Sequence, residues 1–502
     1  MSSIISEGAS LFATTGIPVY GVSDVEIFEE NGSKYLAVAS AGSDALVVFD
    51  IDGAMPSVTG SATETDTSGT NVLVNVTVID GPEGQRLLAG GRYDDNLGIY
   101  DVTGSGALTQ TADVSDSAGR LDNITVAESV RIGGMTYVYV ASGGDRGFAT
   151  FELREDDRFV RTNIALKQKW AVDDVTVLSH IPLHGKDFLF AASGFDAGVT
   201  AFILGPDGRP EAGQTFTSAK ASTGLFGITD VAGADVDGRA YIVVASSGTD
   251  SLSVLRVSKG GKLKEKDVLL DQAGMRIAKV QELETVTYDG RVYVFAGGGD
   301  NGISVFELTR VGKLNHLETI ADDFDTALTN VSAIAAEVVG STAQVWVGSS
   351  TEHGVTRLEV DLDRSGITQS GVNKPDVLIG TAGDDVLWGR GKDDEIRGGD
   401  GADRLIDGRG NDHLWGGAGA DVFEFIDDNR SDFIYDFEFG VDKIDVSDWG
   451  PLFSYKDLTI GTREKGAAIL FGDEIIRLRN PDGGPYDAAL LDSLGQDDFI
   501  FG

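Results

Sequence analysis

From about residue 25 to residue 361 the chain is filled with short runs in which apolar and polar residues alternate, and these runs return at a nearly fixed interval. The most regular marker is a Gly-rich segment seen seven times: VASAGSD around Ala39, LAGGRYDD around Ala89, VASGGD around Ala141, AASGFD around Ala192, VASSGTD around Ala245, FAGGGDN around Ala296 and VGSSTEH around Gly348. Successive markers lie 50, 52, 51, 53, 51 and 52 residues apart. An alternating run such as Lys34-Tyr-Leu-Ala-Val precedes each marker and another, such as Ala45-Leu-Val-Val-Phe, follows it. Period-two alternation on both sides of a Gly-rich turn is the pattern of a β-hairpin. Each unit adds an earlier apolar stretch, such as Val25-Glu-Ile-Phe, and a later polar one, such as Ser57-Val-Thr-Gly-Ser-Ala-Thr. Four strands per unit, the last the most polar, predict a propeller blade whose outer strand meets solvent. The expected fold class is therefore all-β, with a seven-bladed propeller over residues 1–366, and the strand-like piece Ser10 to Thr14 is expected to close the ring against the last blade.

From Gly371 the period falls to nine. The copies GVNKPDVLI, GTAGDDVLW, GRGKDDEIR, GGDGADRLI, DGRGNDHLW and GGAGADVFE begin at Gly371, Gly380, Gly389, Gly398, Asp407 and Gly416. Their sixth position is always Asp: Asp376, Asp385, Asp394, Asp403, Asp412 and Asp421. Their eighth is always apolar: Leu378, Leu387, Ile396, Leu405, Leu414 and Phe423. Residues 425–448 read as a cap on this array, and Gly466 to Arg479 as a hairpin turning at Gly472-Asp473. The divisions are a parallel β-roll with its cap at 367–448 and a β-rich C-terminal region at 449–502.

This nonapeptide resembles the calcium-binding repeat of the RTX proteins. The resemblance implies a coil of two copies per turn, six residues in each bend and three in each strand, so that residues 18 apart stack. Asp376, Asp394 and Asp412 then form one column, and Asp385, Asp403 and Asp421 the other. The Gly-rich bends, with Gly383, Gly401, Gly410 and Gly419 at the fourth position, turn backbone carbonyls toward the same gap. A cage of oxygens suits Ca²⁺, which takes six to eight hard ligands in irregular geometry. Lys374 and Lys392 stand at the fourth position of two copies, where a left-handed bend costs a non-Gly residue about 1–2 kcal/mol, so the sites beside them are expected to be weak and the pairs Asp385/Asp403 and Asp403/Asp421 firm.

Charge sharpens this picture. The 502 residues carry 80 acidic and 40 basic side chains, a formal net charge of −40, which speaks against a nucleic-acid partner or an anionic membrane surface. Residues 371–448 hold 20 acidic and 8 basic side chains. Stacked carboxylates repel until a cation arrives, so the roll is expected to fold only on binding calcium. One site with a dissociation constant of ~10⁻⁴ M contributes only about 1.4 kcal/mol at about 1 mM calcium, so several coupled ions are needed. In the RTX family such rolls precede an uncleaved signal read by a type I secretion machine, and the ending Asp497-Asp-Phe-Ile-Phe-Gly502 looks like that signal. The resemblance thus implies a Gram-negative bacterial source and an extracellular or surface location. It accords with the absence of cysteine and of a basic, apolar leader in MSSIISEGASLFATTG, and no apolar run reaches the roughly 18 residues of a membrane span.

The N-terminal part resembles lactonase-like, YVTN or WD40-like propellers in period and strand pattern. No H-E-x-x-H, G-x-S-x-G or Walker loop is present, and Asp361-Leu-Asp-Arg-Ser-Gly366 lacks the Glu that would complete an EF-hand loop. The acidic residue after each Gly-rich segment, Asp44, Asp94, Asp145, Asp196, Asp250, Asp300 and Glu352, reads as turn chemistry. A second set, Asp24, Asn75, Asn123, Asp174, Asp230, Gln281 and Asn330, stands just before each innermost strand, either capping the turn or offering oxygen ligands at the channel mouth. Tyr20, Arg120, Trp170, Phe226 and Arg276 break the repeat in loops toward the same mouth, as recognition residues or as packing between blades. His180 and His184 read as surface or hairpin residues. Two functions follow. One is a secreted calcium-binding protein whose propeller serves as an extracellular binding module for an unknown ligand or surface. The other is a secreted metal-dependent hydrolase, a lactonase or phosphoesterase, working at the channel mouth.

Overall fold

The computed structural model describes residues 5–7 and 18–501, apart from 54–55, 64–71, 82–83, 94–95, 116–120, 122, 144–146, 155–157, 166–173, 195–196, 212, 218–224, 237, 272–274, 324–325, 364–365, 450–451 and 453. Two compact units divide the chain, one built from Ile5–Asp271 and Arg276–Asp361, the other chiefly from Leu362–Gly502. Among the described residues no helix is long and apolar enough to cross a membrane.

The first unit is a seven-bladed propeller of seven four-stranded antiparallel sheets. In the first blade the order is Val22–Glu30, Ser33–Ser40, Ala45–Asp50 and Ser57–Thr63, paired in sequence. The two middle strands are almost wholly buried and the fourth is the most exposed, because middle strands pack against sheets on both faces while the outer one meets water. Each hydrophobic cluster spans neighbouring blades: Phe28, Tyr35, Ala37 and Leu46 of the first pack with Leu73, Val76 and Leu87 of the second. Hydroxyls tie the innermost strands around the ring. Ser23 Oγ donates to Leu73 O at 2.6 Å, Thr125 Oγ1 to Val175 O at 2.8 Å, Thr229 Oγ1 to Val280 O at 2.8 Å, and Ser332 Oγ back to Val22 O at 2.6 Å.

The closing strand is Ile5–Glu7, antiparallel to Val355–Asp361 with Ile5 opposite Val360. Closure against the last blade is thus as expected, but by an earlier segment; Ser10 to Thr14 lies outside the described residues. The last blade therefore joins both ends of the ring, and the N-terminal strand completes its fourth, outer position.

The second unit is a parallel β-solenoid. Three-residue strands such as Val377–Ile379, Val386–Trp388 and Arg404–Ile406 alternate between two sheets, and partners are 18 residues apart: Leu378 opposite Ile396, Ile396 opposite Leu414, Leu387 opposite Leu405 and Leu405 opposite Phe423. These eighth-position side chains fill the core, none more than 3 % exposed. Both sheets continue into the cap through Ser431–Ile434 and Lys443–Asp445. The hairpin Gly466–Phe471 with Glu474–Arg479 forms as read from the sequence, and its second strand lies parallel to Ser431–Ile434. Phe499–Ile500 adds the last strand beside Lys443–Asp445, with Phe499 buried.

Candidate metal centre

Each sixth-position aspartate sits at the end of a bend, and its two oxygens have different roles. One oxygen holds the coil together: Asp376 N donates to Asp394 Oδ1 at 2.7 Å, Asp385 N to Asp403 Oδ1 at 2.8 Å, Asp394 N to Asp412 Oδ1 at 2.6 Å and Asp403 N to Asp421 Oδ1 at 2.9 Å. The other, Oδ2 of Asp394, Asp403, Asp412 and Asp421, is buried with no hydrogen-bond partner. These four residues are at most 2 % exposed. A carboxylate oxygen stripped of water and left unpaired is costly unless a proton or cation meets it. Burial pushes Asp394 and Asp403 up to about 7, Asp412 up to about 8 and Asp421 up to about 6, and neighbouring carboxylates add to the rise, from within the columns for the first three and from Asp436 and Glu438 for Asp421.

Oxygen-only donors in a stack of backbone bends are the donor set of a hard divalent cation. The family described as RTX calcium-binding nonapeptide repeat (4 copies) matches residues 370–405 and 397–425. The C-terminal unit carries RTX calcium-binding repeats. No curated protein matches the chain. Solved structures similar to it include a functionally unknown protein from Desulfotomaculum acetoxidans, 13 % identical with a TM-score of 0.43, covering 62 % of this chain and 95 % of its own. Another is a putative 6-phosphogluconolactonase from Bacteroides fragilis, 15 % identical with a TM-score of 0.46, covering 60 % of this chain and 84 % of its own.

Within the RTX roll the two expected columns exist, and the cap lengthens both. Asp412 N donates to Asp432 Oδ1 at 2.9 Å and Asp421 N to Asp442 Oδ1 at 3.0 Å. The nine-residue frame missed these two because their offsets are 20 and 21 residues, yet each keeps the local signature of an Asp two places before an apolar residue, Ile434 and Ile444. Unpartnered oxygens favour one of the two pairs expected to be firm, Asp403/Asp421, and not the other. Asp385 has both oxygens engaged, Oδ1 by Ile367 N and Thr381 Oγ1, Oδ2 by Thr381 N. The pairs with an orphan on both members are Asp403/Asp421 and Asp394/Asp412, the second including Asp394 of the copy that carries Lys392. Gly401, Gly410 and Gly419 stack backbone on backbone: an added Cβ would stand 2.7 Å from Gly383 C, 2.4 Å from Lys392 O and 1.9 Å from Gly401 O. Lys392 adopts the left-handed φ of +82°, as the fourth position was expected to, whereas Lys374 and Gly383 do not have positive φ.

The propeller candidates divide among three registers. Asp24, Asn75 and Asp230 lie at the bulge of the innermost strand and line the central cavity of about 490 Å³. Asn123, Asp174 and Asn330 are left-handed turn residues at φ 55°, 53° and 51°, in the place held by Gly21, Val72, Gly227 and Lys279 elsewhere. Gln281 takes the position of the latching hydroxyls. The seven therefore do not converge as one ring of ligands. Asp24 and Asp230 are committed to the scaffold: Asp24 accepts from Val25 N at 2.9 Å and from Val76 N and Asn75 Nδ2 of the next blade at 2.9 Å each, and Asp230 accepts from Val231 N at 2.6 Å and Leu283 N at 2.8 Å.

Tyr20 and Phe226 depart from the repeat in the same way. They occupy the same place in blades one and five, each before a left-handed glycine and each over a glycine, Gly42 or Gly248, where an added Cβ would come within 2.7 Å or 2.4 Å of the ring. Tyr20 also stacks on His353 with ring centroids 4.5 Å apart. Both rings remain well exposed, 41 % and 59 %. Arg276 pins its own blade, donating to Asp300 O at 3.1 Å. Arg120 and Trp170, with the turn residues Asp94, Asp145 and Asp196, lie outside the described residues. The described turn residues act as scaffold: Asp44 accepts from Val72 N at 2.8 Å and Asp250 from Lys279 N at 2.7 Å.

The cavity also holds carboxylates that repeat counting missed: Glu26, Glu128, Glu282 and Glu284. Burial, with repulsion from the neighbouring acids, raises Glu26 and Glu282 well above the usual carboxylate range and takes Glu128 and Glu284 to about 8. Burial likewise carries Asp24 to about 7 and Asp230 to about 6, against the backbone N–H bonds that pull them down. Their signal is an acidic residue inside the innermost, otherwise apolar run, as in Val25-Glu-Ile-Phe. His184 is the hairpin residue expected, at φ +55°, but His180 lines the channel, its Nε2 3.0 Å from Asp187 Oδ1.

Proposed function

We propose that this is an exported protein whose RTX roll folds on calcium outside the cell and whose propeller acts there as a binding module. Supporting it above all are the four buried, unpartnered Oδ2 atoms of Asp394, Asp403, Asp412 and Asp421, which a divalent cation satisfies and which otherwise keep the coil from packing. In the folded state the segment resembling a secretion signal is built into a sheet: Val446 N donates to Ile500 O at 3.0 Å. A type I machine would therefore read it before the roll forms. In this reading residues 1–366, 367–448 and 449–502 serve as propeller, calcium roll with cap, and C-terminal export region.

The test is a calcium titration of the full chain. Trp388, Trp415 and Trp449 report on the RTX unit, Trp415 packed between Arg397 at 4.0 Å and Tyr435 at 4.2 Å, while Trp346 sits in the propeller core. The expected result is a cooperative shift of tryptophan emission and near-ultraviolet dichroism between chelator and millimolar Ca²⁺, with propeller strand content retained throughout. Identical spectra in the two conditions would falsify the reading.

The acid-lined cavity supports a second reading, a hydrolase holding its own cation near Asp24 and Asp230. Such an enzyme retains tightly bound metal after mild chelation strips the roll and hydrolyses a lactone or phosphoester. Metal analysis and a substrate panel on the chelated full chain decide it, and absence of both retained metal and turnover removes the idea.

A further inference from the structure

In five of the six nonapeptides the first residue is glycine, and the geometry shows why: a Cβ added at Gly371, Gly380, Gly389, Gly398 or Gly416 would lie 2.8, 2.3, 2.6, 2.1 or 2.2 Å from Oδ2 of that copy's own sixth-position aspartate. The fifth copy departs from this rule with an acid, Asp407. Its Oδ1 accepts from Gly408 N and, at 3.1 Å, from Ile426 N at the start of the cap. That arrangement brings one carboxylate oxygen each from Asp407, Asp412 and Asp432 within 4.8 Å of one another. The three residues are 1 %, 0 % and 3 % exposed. Asp412 Oδ2 is among the buried oxygens with no hydrogen-bond partner. Among the described residues none of the three pairs with a lysine, arginine or histidine. Asp407 thus adds a carboxylate where the repeat otherwise allows no side chain at all, beside an oxygen that already lacks a partner.

We propose that Asp407 joins Asp412 and Asp432, at the cap end of one aspartate column, to form a three-carboxylate calcium site that binds its ion more tightly than the two-carboxylate sites of the repeat and locks the cap onto the last coils. The proposal rests on the calcium reading of the roll and goes beyond it in assigning one site, its ligands and its task. A third charged oxygen raises affinity for a hard cation, and this ligand set joins the fifth copy to Asp432 of the cap, so filling it orders both together.

The experiment compares the wild-type full chain with Asp407→Gly, which installs the residue used by the other five copies, and with Asp407→Asn, which keeps the shape and removes the charge. Calcium binding is followed by calorimetry and by terbium luminescence, and hydrogen exchange is read at 426–434 and 443–445 against 377–397. Wild type is expected to show one tight ion followed by a weaker class. In both variants that first ion should weaken by about tenfold or more while the weaker class is unchanged. Calcium-dependent protection should fall at 426–434 and 443–445 and persist at 377–397. Variants that bind calcium with wild-type stoichiometry and affinity overturn this site and leave the roll's calcium reading standing. A wild-type chain that binds no calcium overturns both.

Discussion

The propeller channel and the RTX roll both bury rows of carboxylates, and they deal with them in opposite ways. In the channel Asp24 and Asp230 give both oxygens to backbone N–H groups, and the glutamates face an open cavity of about 490 Å³. A space of that size admits water, and a carboxyl there can keep its proton. In the roll one oxygen of Asp394, Asp403, Asp412 and Asp421 is fixed by the preceding coil and the other has no partner, in a stack so close that even a methyl group at a repeat's first-position glycine would lie 2.1–2.8 Å from an aspartate Oδ2. The same residue type therefore makes a proton-tolerant lining in one unit and a cation-dependent joint in the other.

Exchanging a carboxylate for its amide in each unit puts this contrast to the test and gives the largest expected effect. Asp403→Asn removes a charged oxygen from the middle of a column, and the calcium midpoint of the tryptophan transition should rise about tenfold. Glu128→Gln in the channel should work the other way. It replaces a carboxyl held up to about 8 with a neutral group, stabilising the propeller at pH 7 by on the order of 1–2 kcal/mol and leaving the calcium midpoint unchanged. Calcium titration and thermal melting of both variants check the pair. Equal calcium sensitivity of the two would erase the distinction.

A smaller effect is expected from pH. The channel acids have folded-state pKa values above their ordinary 3.8 and 4.5, reaching about 6 for Asp230 and about 8 for Glu128 and Glu284. Between those limits the folded state binds more protons than the unfolded one, so stability falls as pH rises. The contribution is complete below about pH 4 and is lost progressively above it, the loss ending near pH 6 for Asp230 and near pH 8 for Glu128 and Glu284. In chelator, where the roll does not contribute, the propeller's melting temperature should drop by several degrees between pH 6 and pH 9, and Glu128→Gln should flatten the slope. A melting temperature that rises over this range contradicts the assignment.

How much of this was legible in the sequence depends on whether a feature keeps strict register. The roll does: an Asp and an apolar residue two places later recur in frame, so its columns and core follow from counting, and only Asp432 and Asp442 escape because the cap shifts the spacing to 20 and 21. The propeller markers drift between 50 and 53 residues, enough to mix three neighbouring positions, so counting aligns Asn123, Asp174 and Asn330 with Asp24 although they lie in the turn before it. Glu26 and Glu128 hid for another reason. They interrupt runs whose neighbours are apolar, and only the ring closure shows that these faces meet around a cavity. Asp407 stands where the other copies have glycine, and counting alone does not show that the cap brings Asp432 beside it.

The smallest predicted effect separates two residues that the sequence treats alike. Lys374 and Lys392 both replace the fourth-position glycine, but only Lys392 is held at a left-handed φ, +82°. A side chain there costs about 1–2 kcal/mol, whereas glycine adopts that conformation freely. The backbone of Gly410 stacks directly above, an added Cβ there falling 2.4 Å from Lys392 O, so the bend cannot relax into another conformation without parting the coils. Lys392→Gly should therefore stabilise the calcium-loaded roll by about 0.5–1 kcal/mol after the added freedom of the unfolded chain is allowed for. Lys374→Gly relieves no such strain, and the same added freedom should make it neutral or destabilising by about 0.5 kcal/mol. Denaturant unfolding of the two variants in excess calcium measures the difference. If both lysines respond with the same sign, backbone conformation is not what distinguishes the copies of the roll.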